Sequence, residues 1–247
     1  MAFATILPDP INKRGSWGAN DASGDAGPGF ASVKLTSDQK MLMSRTNSQR
    51  VISRSVAGHK WNIDIGYHPM TRDEFEPVYT FLLQQRGPLT PFFAALPQYS
   101  EPRNSAFSLE GLVNSLATVG TQSAGTTSLK IGHGSYGPSP NDATATNIPA
   151  PGDIFTISDD TNTNHTKVYM VTYVETYHVY GGSGVRPAAA TNLNIGINSP
   201  LIKEVPTGKP LVFKATKFKV ILPKAIQQYS LGTDNLYKFN LKLEEYL

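Results

Sequence analysis

Cysteine is absent from all 247 residues, which excludes disulfides, thiol chemistry and any cysteine-ligated metal centre. Charge is scarce as well, with only 17% charged residues and a net of +3. No apolar run approaches the ~20 residues that span a bilayer, so an integral membrane protein is not expected. The opening residues Met1 to Pro10 carry neither a basic n-region nor a long apolar stretch, and no secretory signal is expected. Glycine and proline, by contrast, are plentiful at 21 and 18 residues, with no collagen period among them. Hydrophobic residues reach 39%, too many for a disordered chain. These proportions describe a soluble, β-rich, turn-rich protein, long enough for one large domain or two small ones.

The first thirty residues read as an extended arm. Gly15 to Gly29 holds five glycines without any hydrophobic period, yet Trp17 lies within it and Phe30 closes it. Large aromatics are rarely left in solvent, so this arm is expected to pack on its own body or on a neighbouring subunit. Ala31 to Leu35 then alternates, and Lys40 to Ser55 is a polar, arginine-rich region with Arg45, Arg50 and Arg54. Lys60 to Tyr67 is the clearest strand, with Trp61, Ile63, Ile65 and Tyr67 on one face and Asn62 and Asp64 on the other.

One helix is expected, at about 71–86. Thr71 and Glu74 form a T-x-x-E capping box. Phe75, Val78, Tyr79, Leu82 and Leu83 then make an apolar stripe, and Gly87-Pro88 supplies the stop. If the helix starts at Arg72, Pro77 lies past the first turn and removes one backbone bond, to Asp73; the alternative is a loose first turn with the regular helix beginning nearer Glu76. Phe92 to Pro97 follows as a compact apolar strand.

Beyond Arg103 the composition turns to Thr, Ser, Asn and Gly. Short strands are expected at 128–131, 154–157, 166–176, 192–197 and 211–213, separated by turn clusters. Lys217 to Pro223 and Asn235 to Leu243 then return to the style of the first hundred residues. In the last strand Tyr237, Phe239, Leu241 and Leu243 share a face, and its natural partners lie before residue 105. The expected fold is therefore mainly β: a discontinuous β-sandwich with one packed helix, interrupted by an inserted small β-barrel. The boundaries are 1–30 for the arm, 31–108 and 214–247 for the sandwich, and 109–213 for the barrel.

No motif carries catalysis. Gly132 to Gly137 matches G-x-G-x-x-G after a strand, but Pro138-Ser139-Pro140 forbids the helix that a dinucleotide needs. Asp160, Asn162 and Asn164 begin like a calcium loop, but His165 and Val171 stand where Gly and Glu are required, and a surface turn is preferred. His59, His68, His133, His165 and His178 form no i,i+2 or i,i+4 pair. There is no G-x-S-x-G elbow, and Ser37-Asp38-Gln39-Lys40 has S-x-x-K without its partner motifs. The expectation is a non-enzyme with no cofactor and no metal. Four tyrosines at 169, 173, 177 and 180 leave a carbohydrate- or host-receptor-binding role for the insert as the alternative. Lysines and arginines cluster before the first good strand and around 203–224, and a solvated or subunit-interface role is preferred over nucleic-acid binding.

The order of parts is informative beyond its chemistry. Ser48-Gln49-Arg50 leads to His59-Lys60-Trp61-Asn62-Ile63-Asp64-Ile65, then Met70-Thr71-Arg72-Asp73-Glu74-Phe75-Glu76-Pro77, Phe81 to Gly87, Phe92-Phe93 and Leu96-Pro97. This succession resembles the minor tail protein M and distal tail proteins of long-tailed bacteriophages, over roughly 45–100 and more loosely 217–247. The insert departs from the short tail protein M and resembles small β-barrel modules of tailed-phage structural proteins. The resemblance implies a hexameric ring at the virion's tail tip or baseplate, made in the host cytoplasm, joining tail tube to hub or baseplate proteins. It involves no membrane and no specific nucleic acid. Trp17 and Phe30 are the arm's candidates for subunit contact, and Arg45, Arg50 and Arg54 are candidates for inter-subunit ion pairs or a polar lumen.

Overall fold

Alternation of apolar and polar residues sets the first sheet. A computed structural model describes residues 5–13, 26–105, 107, 116–132, 148–158, 165–175, 192–224 and 228–247. The chain divides into two compact units, Met1–Ala94 with Lys219–Leu247, and Ala95–Phe218. The fold is mainly β with one packed helix and an inserted small barrel, the class expected from the sequence.

In the first unit, β1 (Phe30–Arg45) and β2 (Val51–Tyr67) form a long antiparallel hairpin. The C-terminal strand β13 (Asn240–Glu245) pairs with the other edge of β2, placing Leu241 opposite Ile65 and Leu243 opposite Ile63. With β10 (Lys217–Ile221) and β3 (Phe92–Ala95) the sheet runs β1-β2-β13-β10-β3. Strands β11 (Ser230–Leu231) and β12 (Tyr237–Lys238) pair with each other apart from it, so the strand expected from Asn235 to Leu243 is divided at Phe239. The odd residues Trp61, Ile63, Ile65 and Tyr67 are all buried. Helix α1 (Arg72–Gln85) covers this core through Phe75, Val78, Phe81 and Leu82. Phe81 stands edge-on to Phe92 with ring centres 5.3 Å apart. Phe75 stacks on Tyr237 at 4.6 Å and meets Phe239 edge-on at 5.7 Å.

The cap explains where α1 begins. The Thr71 backbone N–H and hydroxyl both donate to Glu74 Oε2 at 2.9 Å. The helix runs through Pro77. Arg86, in the left-handed region at φ 54°, ends it and Gly87 follows at φ 69°. The apolar stripe differs in one respect from the sequence reading. Leu83 is exposed and Phe81 takes the buried place, because the buried face is centred near Val78 and Gln85; at about 100° per residue Phe81 lies about 60° around the helix from Val78 and Leu83 about 140°.

Part of the N-terminal arm belongs to this sheet. Thr5 to Leu7 runs parallel to β3, with Leu7 N–H donating to Phe93 O and Phe93 N–H to Thr5 O, both at 2.8 Å. Asp9, buried, accepts from the Ile11 and Asn12 amides and the Asn12 side chain at 2.7–2.8 Å. Gly27 N–H reaches Asp9 O, and a Cβ on Gly27 would fall 2.5 Å from the Pro8 carbonyl carbon.

The second unit holds a nearly closed, barrel-like sheet of six strands. Strands β4 (Ala117–Thr118), β5 (Ser128–Gly132), β6 (Ile154–Ile157), β7 (Tyr169–Glu175), β8 (Asn192–Ile197) and β9 (Leu211–Val212) follow the order β4-β5-β8-β7-β6-β9. The ends meet where Leu211 N–H donates to Leu116 O and Thr118 N–H to Lys209 O. Phe107, Leu129, Ile131, Phe155, Tyr169, Val171, Ile195, Leu211 and Phe213 fill it. Composition marks its limits at 109 and 213, whereas the compact unit extends from Ala95 to Phe218. The lead-in is held by packing rather than composition. Phe107 enters the barrel core, Arg103 N–H donates to Asp153 at 2.7 Å, and Lys214 pairs with Glu101 at 2.7 Å.

Two outcomes test these packing arguments. Tyr67 is buried and its hydroxyl has no hydrogen-bond partner among the described residues; burial, and secondarily Asp9, pushes its phenol upward. Above about pH 10 an unfolded tyrosine releases its proton while Tyr67 retains it, so folding stability falls as pH rises. Denaturant titrations should show Tyr67→Phe equal or superior to wild type at pH 7 and less sensitive to pH above 10. Gly27→Ala should expose the Leu7 and Phe93 amides, raising their hydrogen-exchange rates by on the order of tenfold or more, while the barrel amides stay protected.

Candidate interaction surface

The hairpin is longer than the core beneath it. From Gln39 and His59 inward, β1 lies on the sheet; beyond them it continues as a two-stranded ribbon from Lys40 to Arg54. The register steps at this point. Gln39 pairs with His59 and Met41 with Ser55, so β2 places three residues where β1 places one. Gly58, at φ 131°, lies within this bulge, a backbone conformation that glycine adopts at little steric expense. At the root, the His59 ring is buried, stands edge-on to Trp61 at 4.8 Å, and shares a 2.8 Å hydrogen bond with Ser37 Oγ. Across the sheet, Lys60 meets Glu244 at 2.6 Å, a partly exposed pair that adds at most about 1 kcal/mol.

Strand alternation assigns the ribbon's two faces. Met41, Met43 and Arg45 lie on the side of Leu35 and Ser37, opposite Ser55, Ser53 and Val51. This side continues the sheet's inward face past the end of the core. Leu42 and Ser44 lie on the other side, opposite Arg54 and Ile52, and Lys40 alternates with them. Apolar side chains are therefore bare on both faces: Met41 is 59% exposed, Leu42 65%, Met43 69%, Val51 49% and Ile52 56%.

The ribbon closes through Thr46 to Arg50. Thr46 N–H donates to Arg50 O at 3.0 Å and Gln49 N–H to Thr46 O at 2.8 Å. Gln49 sits in the left-handed region at φ 62°, the position that glycine usually takes in a three-residue hairpin loop.

The residues singled out from the sequence fall in different settings. Arg45 and Arg50 lie at the ribbon's distal end, whereas Arg54 lies nearer its root on the face opposite to Arg45; all three are exposed, with no ion-pair partner among the described residues. Phe30 is half-buried at the start of β1, edge-on to Tyr67 at 5.5 Å, and so is engaged by its own sheet. Trp17 lies outside the described residues, as do positions 160–164 of the Asp160-Asn162-Asn164 turn and the glycine loop from 133 onward. The aromatic surface suggested for the insert is not formed by Tyr169. That side chain fills the barrel core, where its hydroxyl meets His165 Nε2 at 3.1 Å and accepts the Ile202 N–H. Tyr173 lies across Gly196, and Tyr177 and Tyr180 fall outside the described residues. Among the described residues no three His, Asp or Glu side chains gather to hold a metal ion, and no helix is long and apolar enough to cross a membrane.

Sequence reasoning saw the arginines but missed the apolar residues between them. The available signal was Met41-Leu42-Met43 and Val51-Ile52 on either side of a Thr-Asn-Ser-Gln turn, two β-prone runs joined by turn residues. No family model matches the chain, and no curated protein matches it.

The turn yields a direct test. Gln49→Gly should preserve the hydrogen bond from residue 49 to Thr46, whereas the β-branched Gln49→Val should weaken the turn by about 1 kcal/mol. Amide exchange at residue 49 reads the difference.

Proposed function

We propose that this protein is a non-enzymatic structural component of a phage tail. Copies of it form a ring, six by the family resemblance, at the distal end of the tail, joining the tail tube to the hub or baseplate. The observation that carries this reading is the ribbon. Its five bare apolar side chains and three arginines are exposed and have no cover among the described residues, and a surface of that kind is characteristic of a protein that meets others. The order of parts over residues 45–100 supports the same reading. So does the construction of the first unit, a sheet with one capped helix on it, since such a rigid platform holds a projecting ribbon in a fixed direction.

The work of such a component is non-covalent. Each subunit's sheet, helix and barrel are complete within one chain, and the ribbon is the part left for association. Light scattering on purified full-length protein should give a mass several times the 26.8 kDa of one chain, with ring-shaped particles by negative-stain electron microscopy. A strict monomer at all concentrations, with no ring in the particle, overturns this function.

A further inference from the structure

We infer that each ribbon is inserted between two neighbouring copies of this chain, with a different non-ribbon surface against each face, so that subunits join head-to-tail. This rests on the homo-oligomer reading above and adds how the copies meet.

Three features lead there. The first is that both faces carry apolar side chains: Met41, Met43 and Val51 on one, Leu42 and Ile52 on the other. A single flat partner covers only one of them. At about 100 Å² apiece these side chains leave roughly 300 Å² of apolar surface open on one face and roughly 200 Å² on the other. With the backbone and arginine stems, the two faces together approach the ~1,000 Å² or more that a specific interface needs.

The second feature is charge. Residues 40–54 hold Lys40, Arg45, Arg50 and Arg54 and no acid, whereas the rest of the chain has slightly more acids than bases. Two ribbons laid against each other would bring these cations together in an apolar setting, which disfavours a two-fold ribbon-to-ribbon dimer. The body of a neighbour is nearly balanced in charge and holds every carboxylate of the chain, so it can offer the ribbon's cations partners that a second ribbon lacks. Such a heterologous contact propagates and closes as a ring when the rotation permits.

The third is the tip. Thr46, Asn47, Ser48 and Gln49 are polar and exposed, and the apolar residues lie behind them. A ribbon built to enter a bilayer would lead with its apolar residues, whereas one threaded between two protein surfaces leaves its tip in water.

The test compares full-length wild type with Met41→Ser/Met43→Ser, Leu42→Ser/Ile52→Ser, and Arg45→Glu/Arg50→Glu/Arg54→Glu. All are exposed positions, and far-ultraviolet circular dichroism and thermal melts should confirm unchanged folding. By analytical ultracentrifugation, wild type should exceed a dimer, and each serine pair should raise the dissociation constant at least about tenfold. Mixing the charge-reversed variant with wild type should give no association tighter than wild type alone. Loss of association from only one serine pair, a wild-type assembly that stops at a dimer, or tighter association in the mixture overturns head-to-tail insertion while leaving the homo-oligomer standing. A monomeric wild type overturns both.

Discussion

The pairing of β13 with β2 is the contact on which the first unit depends. It joins residues near 64 to residues near 242, and it sets the alternation that buries Ile63, Ile65, Leu241 and Leu243 on one side. A slip of one residue would turn Lys242 and Asn240 into the core and Leu241 and Leu243 out of it. Such long-range pairing forms slowly because its loop-closure entropy is lost before any contact is gained. The intervening barrel brings its own ends together, through hydrogen bonds between 116–118 and 209–211, so the described part of the excursion between the two halves of the sheet holds strands of its own. That makes the discontinuous arrangement tolerable.

With its C-terminal partner fixed, β2 is held in two environments along one strand. Its inner half, from His59 to Tyr67, is packed; its outer half, from Val51 to Arg54, is exposed, with the Gly58 bulge between them. The bulge alters the local twist. His59, wedged between Ser37 and Trp61, anchors the inner half at the step. The direction of the ribbon is therefore determined by buried side chains, and its chemistry by exposed ones. The exposed residues of the ribbon are thereby free of the demands of folding.

The sequence was most legible where one face of an element is buried and the other wet. Trp61 to Tyr67, Tyr237 to Leu243 and the Thr71–Glu74 cap announced themselves by period and by end chemistry, and Ile154 to Ile157 and Asn192 to Ile197 by β-branched content between turns. Legibility failed where local pattern and tertiary role part company. The ribbon has apolar residues on both faces, so it lacks the alternation that marks a half-buried strand, and its arginines made it read as merely polar. Leu83 fits a helical stripe by spacing but lies beyond the sheet's reach. Phe107 joins the barrel core from outside the composition that marks the barrel, and nothing local to residue 107 reveals that destination.

The short N-terminal strand on β3 has a further consequence. Open sheets are hazardous because their edges can recruit copy after copy without limit. Here one edge of the sheet is covered by Thr5 to Leu7, with Pro8 directly after them, while β1 forms the other. Edge-to-edge growth thus meets a covered strand on one side, where Pro8 has no N–H to offer a newcomer. Contacts made at that edge then fall to side-chain faces, which fix an orientation, rather than to backbone pairing, which repeats without limit.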